Sequence, residues 1–326
     1  MWAIEVTNPG KNSSLSKSSR PTPTPLPHEV LIKTYAVGIN RADIFQKQGL
    51  YPAPPGASDI LGLEVSGIIE EIGNKVTEFK KGDKVCAILE GGGYAEYVSV
   101  ADTQVLPLPS NFDFTEGASL PEALFTVYSN LFHHAKMKKD ESLLIHGGAS
   151  GIGTFAVQLA KAFGIKCYTT AGNDDKCRFL EQLGAVRAIN YKTSNFVEVI
   201  KDATNNTGVD AIIDIVGGEY FNRNLKCLAN NGRMICLSFL QGAKIEANLA
   251  SLVFKNLTIM GTTLRSQPPR KKAIIASDLK KHIWPLLEDK TIKPVIDSIF
   301  DINNVSKAHK LMEDSGHIGK IILKCY

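Results

Sequence analysis

The stretch HGGASGIGTFAVQLAKAFG, residues 146–164, carries glycines at 147, 148, 151 and 153. Glycine lets a backbone pass close to a bulky charged group. A helix starting beside such a loop turns open N–H groups toward an anion. The chemistry on offer is phosphate binding. A P-loop, GxxxxGK[ST], would use the spacing from Gly148 to Gly153, but Thr154 follows where the lysine for the β/γ-phosphates belongs. The reading left is a loop that cradles a pyrophosphate, with Gly148, Ser150, Gly151 and Ile152 against it.

A second group of residues bears on which nucleotide is held. An acid about 20 residues past such a loop normally binds the ribose hydroxyls of NAD. Here the corresponding place reads Ala171, Gly172, Asn173, with Lys176 and Arg178 following. A lysine attracts a 2′-phosphate that an acid would repel, and Tyr191, at the end of the next strand, offers a hydroxyl to the same group. Asp174 and Asp175 argue the other way, but acids at a helix start also serve as caps. The expected cofactor is NADPH.

The elements that must carry these residues alternate from residue 142 onward. Strands are read at 142–148, 165–170, 186–191, 209–217, 232–240 and 256–264, with helices at 175–184, 195–204 and 219–228 between them. The strands are continuous apolar runs, as a parallel sheet covered on both faces requires. The expected fold class is α/β: a Rossmann doubly wound parallel sheet beside a β-rich domain built from the first 120 residues. Short Val-, Ile- and Tyr-rich runs at 28–39, 66–72, 83–89 and 93–100 supply that second domain. RPTPTPLP, residues 20–27, reads as an extended connector. Residues 121–135 read as a helix that opens on a proline, and 270–288 as a basic amphipathic helix.

Length and composition agree with two domains. The chain has 326 residues, 44% hydrophobic and 21% charged, with a net charge of +4. That charge is too small to imply a nucleic-acid or membrane partner. No apolar run is long enough to span a bilayer, and the first residues do not read as a secretory signal. Six cysteines without a CxxC pair read as reduced thiols of a cytoplasmic protein. Cys177, between Lys176 and Arg178, has the surroundings of a lowered pKa and is given no role. His133 and His134 diverge on a helix and do not suit one metal ion.

The glycine loop also matches TGxxxGxG of the short-chain dehydrogenases at 147, 151 and 153, but it starts far from the N-terminus, and none of the nine tyrosines opens a YxxxK pair. The whole chain instead resembles the zinc-free quinone oxidoreductase group of the medium-chain dehydrogenase/reductase superfamily. The motifs are AVGINRADIFQKQGLYP (36–52), LGLEVSGII (61–69), GGGYAEY (91–97), LIHGGASGIG (144–153), LGAVRAINY (183–191), GTTLRS (261–266) and AHKLMEDSGHIGKIIL (308–323).

The resemblance implies a GroES-like catalytic domain over 1–122 and 266–326, and an NADPH-binding domain over 123–265. Zinc-dependent relatives place a cysteine and a histidine where this chain has Asn40 and Leu63, neither a zinc ligand, so no metal is expected. Glu64 is then expected to be a buried hydrogen-bonding group. By resemblance Asn40, Asp43 and Tyr51 lie in the cleft near the nicotinamide as catalytic residues, and Asn40 also contacts the ribose or a carbonyl. Glu122 and Thr126 lie where the helix enters the cofactor domain, and Thr126, Ser238, Phe239, Gly319 and Lys320 are expected to meet the cofactor. The implied activity is metal-independent hydride transfer from NADPH to a quinone, with an unsaturated carbonyl as the alternative substrate. A homodimer joined near LTIMGTTL is implied. A non-catalytic RNA binder using RKK (270–272) and KKH (280–282) is the reading of another class.

Overall fold

The computed structural model describes residues 1–10 and 12–326, and the chain divides into two compact units. One comprises Met1–Phe125 and Leu264–Tyr326, the other Thr126–Thr263.

In the first unit β1 (Trp2–Thr7) and β2 (Ser14–Ser19) form an antiparallel hairpin. β3 (Glu29–Gly38) is followed by α1 (Arg41–Lys47), then β4 (Glu64–Ile72), β5 (Lys84–Ile88), β6 (Tyr97–Ala101) and β7 (Val105–Pro107). α2 (Phe114–Gly117) and α3 (Pro121–Tyr128) lead onward. The sequence reading places no strand at β1, β2 or β7 and no helix at α1 or α2. SLSKSS has no apolar face and is a strand because β1 supplies its hydrogen bonds. α1 is only seven residues long, and Asp43 at its third position reaches back to the Asn40 N–H at 2.8 Å, as in a capping box.

The second unit holds the alternating elements. A π-helical turn at Ser129–His134 extends α3, where the sequence suggested one continuous helix. β8 (Ser142–His146), α4 (Gly151–Ala162), β9 (Lys166–Ala171), α5 (Asp174–Leu183), β10 (Arg187–Asn190) and α6 (Phe196–Ala203) follow. Then come β11 (Val209–Asp214), α7 (Tyr220–Cys227), β12 (Leu228–Cys236), α8 (Ala250–Phe254) and β13 (Thr258–Gly261). The strands are parallel, in the order β10-β9-β8-β11-β12-β13. The chain winds one way from β8 and the other way from β11, so the loop after β8 leaves the sheet at the topological switch point. His146 ends β8 fully buried. Its Nε2 donates to Asn224 Oδ1 (2.8 Å), and Thr170 Oγ1 lies 3.1 Å from Nδ1. Burial holds this imidazole below its usual pKa, so it works as a neutral tie between β8, β9 and α7.

The chain returns to the first unit as α9 (Pro269–His282), α10 (Trp284–Glu288), β14 (Ile296–Asp301), α11 (Val305–Asp314) and β15 (Lys320–Lys324). The helix read over 270–288 is two helices. Pro285 lacks the N–H a continuing helix needs, and its ring clashes with the preceding turn. The main sheet runs β14-β15-β3-β4-β5-β7, with β6 also on β3. Its core includes Val30, Ile32, Val65, Ile69, Ala87, Ile321 and Leu323. Because β15 pairs antiparallel with β3, the end of the chain lies beside residues 36–39. The cysteines are unpaired, and all but the half-buried Cys325 are buried.

Candidate active site

The phosphate loop sits where β8 hands over to α4. Ser150 caps the helix, its Oγ accepting from Gly153 N–H at 3.0 Å, and Thr154 N–H begins the helical ladder on Ser150 O. The N–H groups of Gly151 and Ile152 make no hydrogen bond among the described residues, and no acid stands in the first turn. That is the donor set and field a pyrophosphate needs. A Cβ at Gly153 would lie 2.5 Å from Gly147 O and from Gly148 Cα, so only glycine lets α4 start this close to the loop.

The adenosine end is built on β9, α5 and β10. Asn173 caps α5, accepting from Lys176 N–H at 2.8 Å. Asp174 accepts from Asn190 Nδ2 at 2.7 Å, and Asp175 pairs with Arg178. Both acids therefore have partners of their own. Tyr191, 42% exposed, lies over Gly172: a Cβ there would come within 3.1 Å of the tyrosine hydroxyl. The half-buried Lys176 lies on the same short run of chain. These residues fit a 2′-phosphate. Cys177 beside them is buried, which raises its thiol pKa and corrects the expectation of a lowered one. Ser238 and Phe239 follow the carboxyl end of β12 in the same unit, half-buried and exposed respectively. Thr126 is buried, and its carbonyl accepts from Asn130 Nδ2 at 2.7 Å.

In the first unit a charged cluster lies almost wholly inside. Glu64 and Lys320, 0% and 4% exposed at their side chains, form an ion pair. Lys320 Nζ also donates to Ile39 O (3.1 Å) and Asn40 Oδ1 (2.9 Å). Asn40 Nδ2 donates to Glu64 Oε1 at 2.8 Å, and Glu64 Oε2 accepts from Glu122 N–H at 2.9 Å. The expectation that Glu64 is a buried hydrogen-bonding group describes this cluster well, and its counter-ion is an ammonium. Two expected roles change. Lys320 spends its three protons inside the unit, so its ammonium is not free for a cofactor. Asp43 is fully buried with both oxygens engaged, by Asn40 N–H, Tyr94 Oη (3.3 Å) and Gly62 N–H (3.0 Å). In this arrangement it positions Asn40 through the Asn40 N–H. Gly319 has φ +86°, and a Cβ would meet Val295 O at 2.1 Å, a packing reason for glycine that needs no ligand.

Electrostatics follow from the crowding of acids. Burial pushes the Asp43 carboxyl up to about 6. Burial, reinforced by Glu64, pushes Glu122 up to about 8 against the pull of Lys320. His309, buried against Tyr94 Oη at 3.0 Å, is driven down to about 3 by burial and stays neutral. Among the described residues no group of three or more His, Cys, Asp or Glu converges as around a metal ion. Leu63 is buried core.

The Tyr51 ring lies 5.4 Å from the Arg265 guanidinium. The sequence reading gives no site role to Arg265 or Glu90. Lys272, part of the RKK stripe offered for RNA, is fully buried and paired with Glu90. Lys280 pairs with Glu78, so the basic stripe keeps fewer free charges than its letters suggest.

Residues 151–280 match the family model of zinc-binding dehydrogenases, and residues 26–110 that of the alcohol dehydrogenase GroES-like domain. The chain is similar to the quinone oxidoreductase of Rattus norvegicus, 36% identical over 303 residues, which is 92% of this chain and 90% of that protein. It is similar in structure to Escherichia coli quinone oxidoreductase complexed with NADPH (TM-score 0.89, 28% identity, 100% of both chains). It is also similar to the CurK enoyl reductase (TM-score 0.85, 26% identity, 99% of this chain and 98% of that one). A doubly wound sheet with a phosphate loop and a GroES-like unit, carried on one chain, define a medium-chain dehydrogenase/reductase. Within that superfamily the chain belongs to the quinone oxidoreductase group.

Proposed function

We propose that the chain is an NADPH-dependent quinone reductase that works without a metal. The observation that carries this is the pair of half-sites in one unit: open amides at Gly151 and Ile152, and Lys176 with Tyr191 at a place whose acids are already paired. When bound, NADPH supplies a hydride from its nicotinamide ring. Gly148, Ser150, Gly151 and Ile152 hold the pyrophosphate, Lys176 and Tyr191 the 2′-phosphate, and Thr126, Ser238 and Phe239 border the nicotinamide half. Residues 123–265 form the cofactor domain, and 1–122 with 266–326 the catalytic one.

Within the catalytic domain Asn40 presents what remains of its carboxamide, clamped by Glu64 and Lys320. Tyr51 orients the acceptor. Metal independence rests on Asn40 and Leu63 at the ligand positions and on Lys320 as the cation that Glu64 faces. Quinones accept hydride readily, so orientation and proximity suffice in place of a Lewis acid. The second reading, reduction of an unsaturated carbonyl, is favoured by the likeness to an enoyl reductase.

The deciding measurement is NADPH oxidation by the purified protein with 1,4-naphthoquinone and with an enal, before and after chelator, alongside elemental analysis. Expected are quinone turnover, no loss with chelator and no stoichiometric zinc. Turnover of the enal alone would favour the second reading, and one zinc per chain would overturn metal independence.

We further propose a homodimer and a cytoplasmic location. β13 is an edge strand, and just before it in the chain Leu249, Val253 and Phe254 are 52%, 69% and 84% exposed. An apolar patch on a sheet edge favours a partner. Phe254→Glu should shift the protein from dimer to monomer in light scattering; an unchanged mass would remove this face from consideration. No helix of the described residues is long and apolar enough to cross a membrane. The location rests on six unpaired cysteines.

A further inference from the structure

Arg265 is a buried cation left without an anion. The residue is 4% exposed, yet neither Nη1 nor Nη2 has a hydrogen-bond partner. Only Nε is engaged, donating to Glu90 O at 2.7 Å. The Glu90 carboxylate turns to another cation: its Oε1 holds the fully buried Lys272, whose Nζ also donates to Arg265 O at 3.0 Å. The acid beside these two buried cations thus pairs with Lys272, and Arg265 reaches only its backbone carbonyl. Asp43 and Glu122 act on the guanidinium only through space, and Asp43 has its own donors.

An arginine cannot shed its proton to escape this. Unsatisfied donors on a buried charge are strongly unfavourable unless a ligand completes them. The fork left open, two N–H-bearing nitrogens in one plane, matches an oxygen carrying negative charge. One face of it is covered. The Tyr51 ring lies over the guanidinium on a segment bounded by Gly49 and Gly56, both at positive φ and with nothing within 4 Å of where a Cβ would stand.

We propose that Arg265 receives the carbonyl oxygen of the substrate and holds the oxyanion that forms there, with Tyr51 closing over it. This rests on the quinone-reductase reading. Hydride brings two electrons and one proton to the quinone. NADPH is thereby oxidised to NADP⁺, and the quinone becomes a hydroquinone monoanion with its charge on oxygen. The guanidinium pairs with that oxygen until water supplies the second proton. The pairing is stronger in the charged product-like state than with the neutral quinone, so it acts on turnover more than on substrate binding.

A phenolate is a stable stand-in for that monoanion, which permits a test without turnover. Binding of 4-nitrophenolate and of its neutral methyl ether, 4-nitroanisole, is titrated spectroscopically on the full chain, for wild type, Arg265→Met and Arg265→Lys. NADPH affinity and quinone kinetics are measured in parallel. Expected is a wild type that prefers the phenolate by about tenfold or more. In Arg265→Met that preference vanishes, kcat falls by about 100-fold, and anisole and NADPH bind as before. Arg265→Lys, which keeps the charge but loses the fork, retains part of both.

Should the methionine variant not fold, the wild-type contrast and the lysine variant decide. A wild type indifferent to the phenolate charge overturns the proposal, as does a variant that keeps the preference or loses NADPH affinity instead. Quinone turnover with no phenolate contrast sinks the oxyanion site alone. A phenolate contrast with no quinone turnover leaves the site and sinks the quinone reading.

Discussion

Lys320→Met is expected to lower folding stability by about 3–5 kcal/mol, the usual effect of stranding one member of a buried ion pair. Asn40 Oδ1 and Ile39 O lose their donor at once, and Glu64 Oε1 loses its counter-ion and keeps only Asn40 Nδ2. Methionine fills much of the volume, so the loss is electrostatic rather than a cavity. Glu64→Gln combined with Lys320→Met should recover part of it, since the double variant leaves no unpaired charge. The pH dependence should change as well. The Glu122 carboxyl, raised from 4.5 to about 8, holds its proton more tightly folded than unfolded. Its contribution is therefore full below the unfolded value and is lost as pH rises through about 8. Removing Lys320, which pulls that pKa down, extends the loss to higher pH. Denaturant titrations of both variants across this range check the claim. A Lys320→Met protein as stable as wild type would mean that the pair is not what holds Glu64.

Lys176→Ala should weaken NADPH binding by one to two decades and leave NADH nearly untouched. A charge-assisted hydrogen bond to a phosphate contributes roughly 1.5–3 kcal/mol, and NADH has no group there to receive it. The geometry sharpens the expectation. Had Asp174 or Asp175 been unpartnered, either could have turned to the ribose hydroxyls and favoured NADH; Asn190 and Arg178 hold them instead. Dissociation constants for both nucleotides, on wild type and variant, are the measurement. Equal losses for the two, or a wild type that prefers NADH, would remove the 2′-phosphate from this site.

The sequence showed the fold where one element's own letters decide it. Strands such as SLLIH and VDAIID are apolar throughout because both faces of a parallel sheet are covered, and that survives without knowing any partner. It did not show SLSKSS as a strand, because the only thing that makes it one is β1 across the hairpin. The phosphate loop and its cap were visible for the same local reason. The charged cluster was only half visible. Glu64 and Lys320 are 256 residues apart, and nothing in GKIIL says that its lysine is buried. Nothing in the letters around Arg265 or Lys272 says that either is buried, since basic residues usually are exposed. The two sit inside only because β-strand ends and the start of α9 meet around Glu90, a tertiary fact.

The buried cysteines bear on how such a protein withstands its own chemistry. Quinones and unsaturated carbonyls are alkylating agents, and what they attack in proteins is the ionised thiol. Burial raises every cysteine in this chain: Cys167, Cys227 and Cys325 to about 12, Cys236 to about 11, and Cys86 and Cys177 upward as well. At neutral pH almost none of that sulfur is thiolate, and most of it is shielded by the core. A catalyst that gathers electrophiles is thereby poor prey for them, and a batch exposed to excess substrate should age by losing cofactor or fold, not by acquiring adducts.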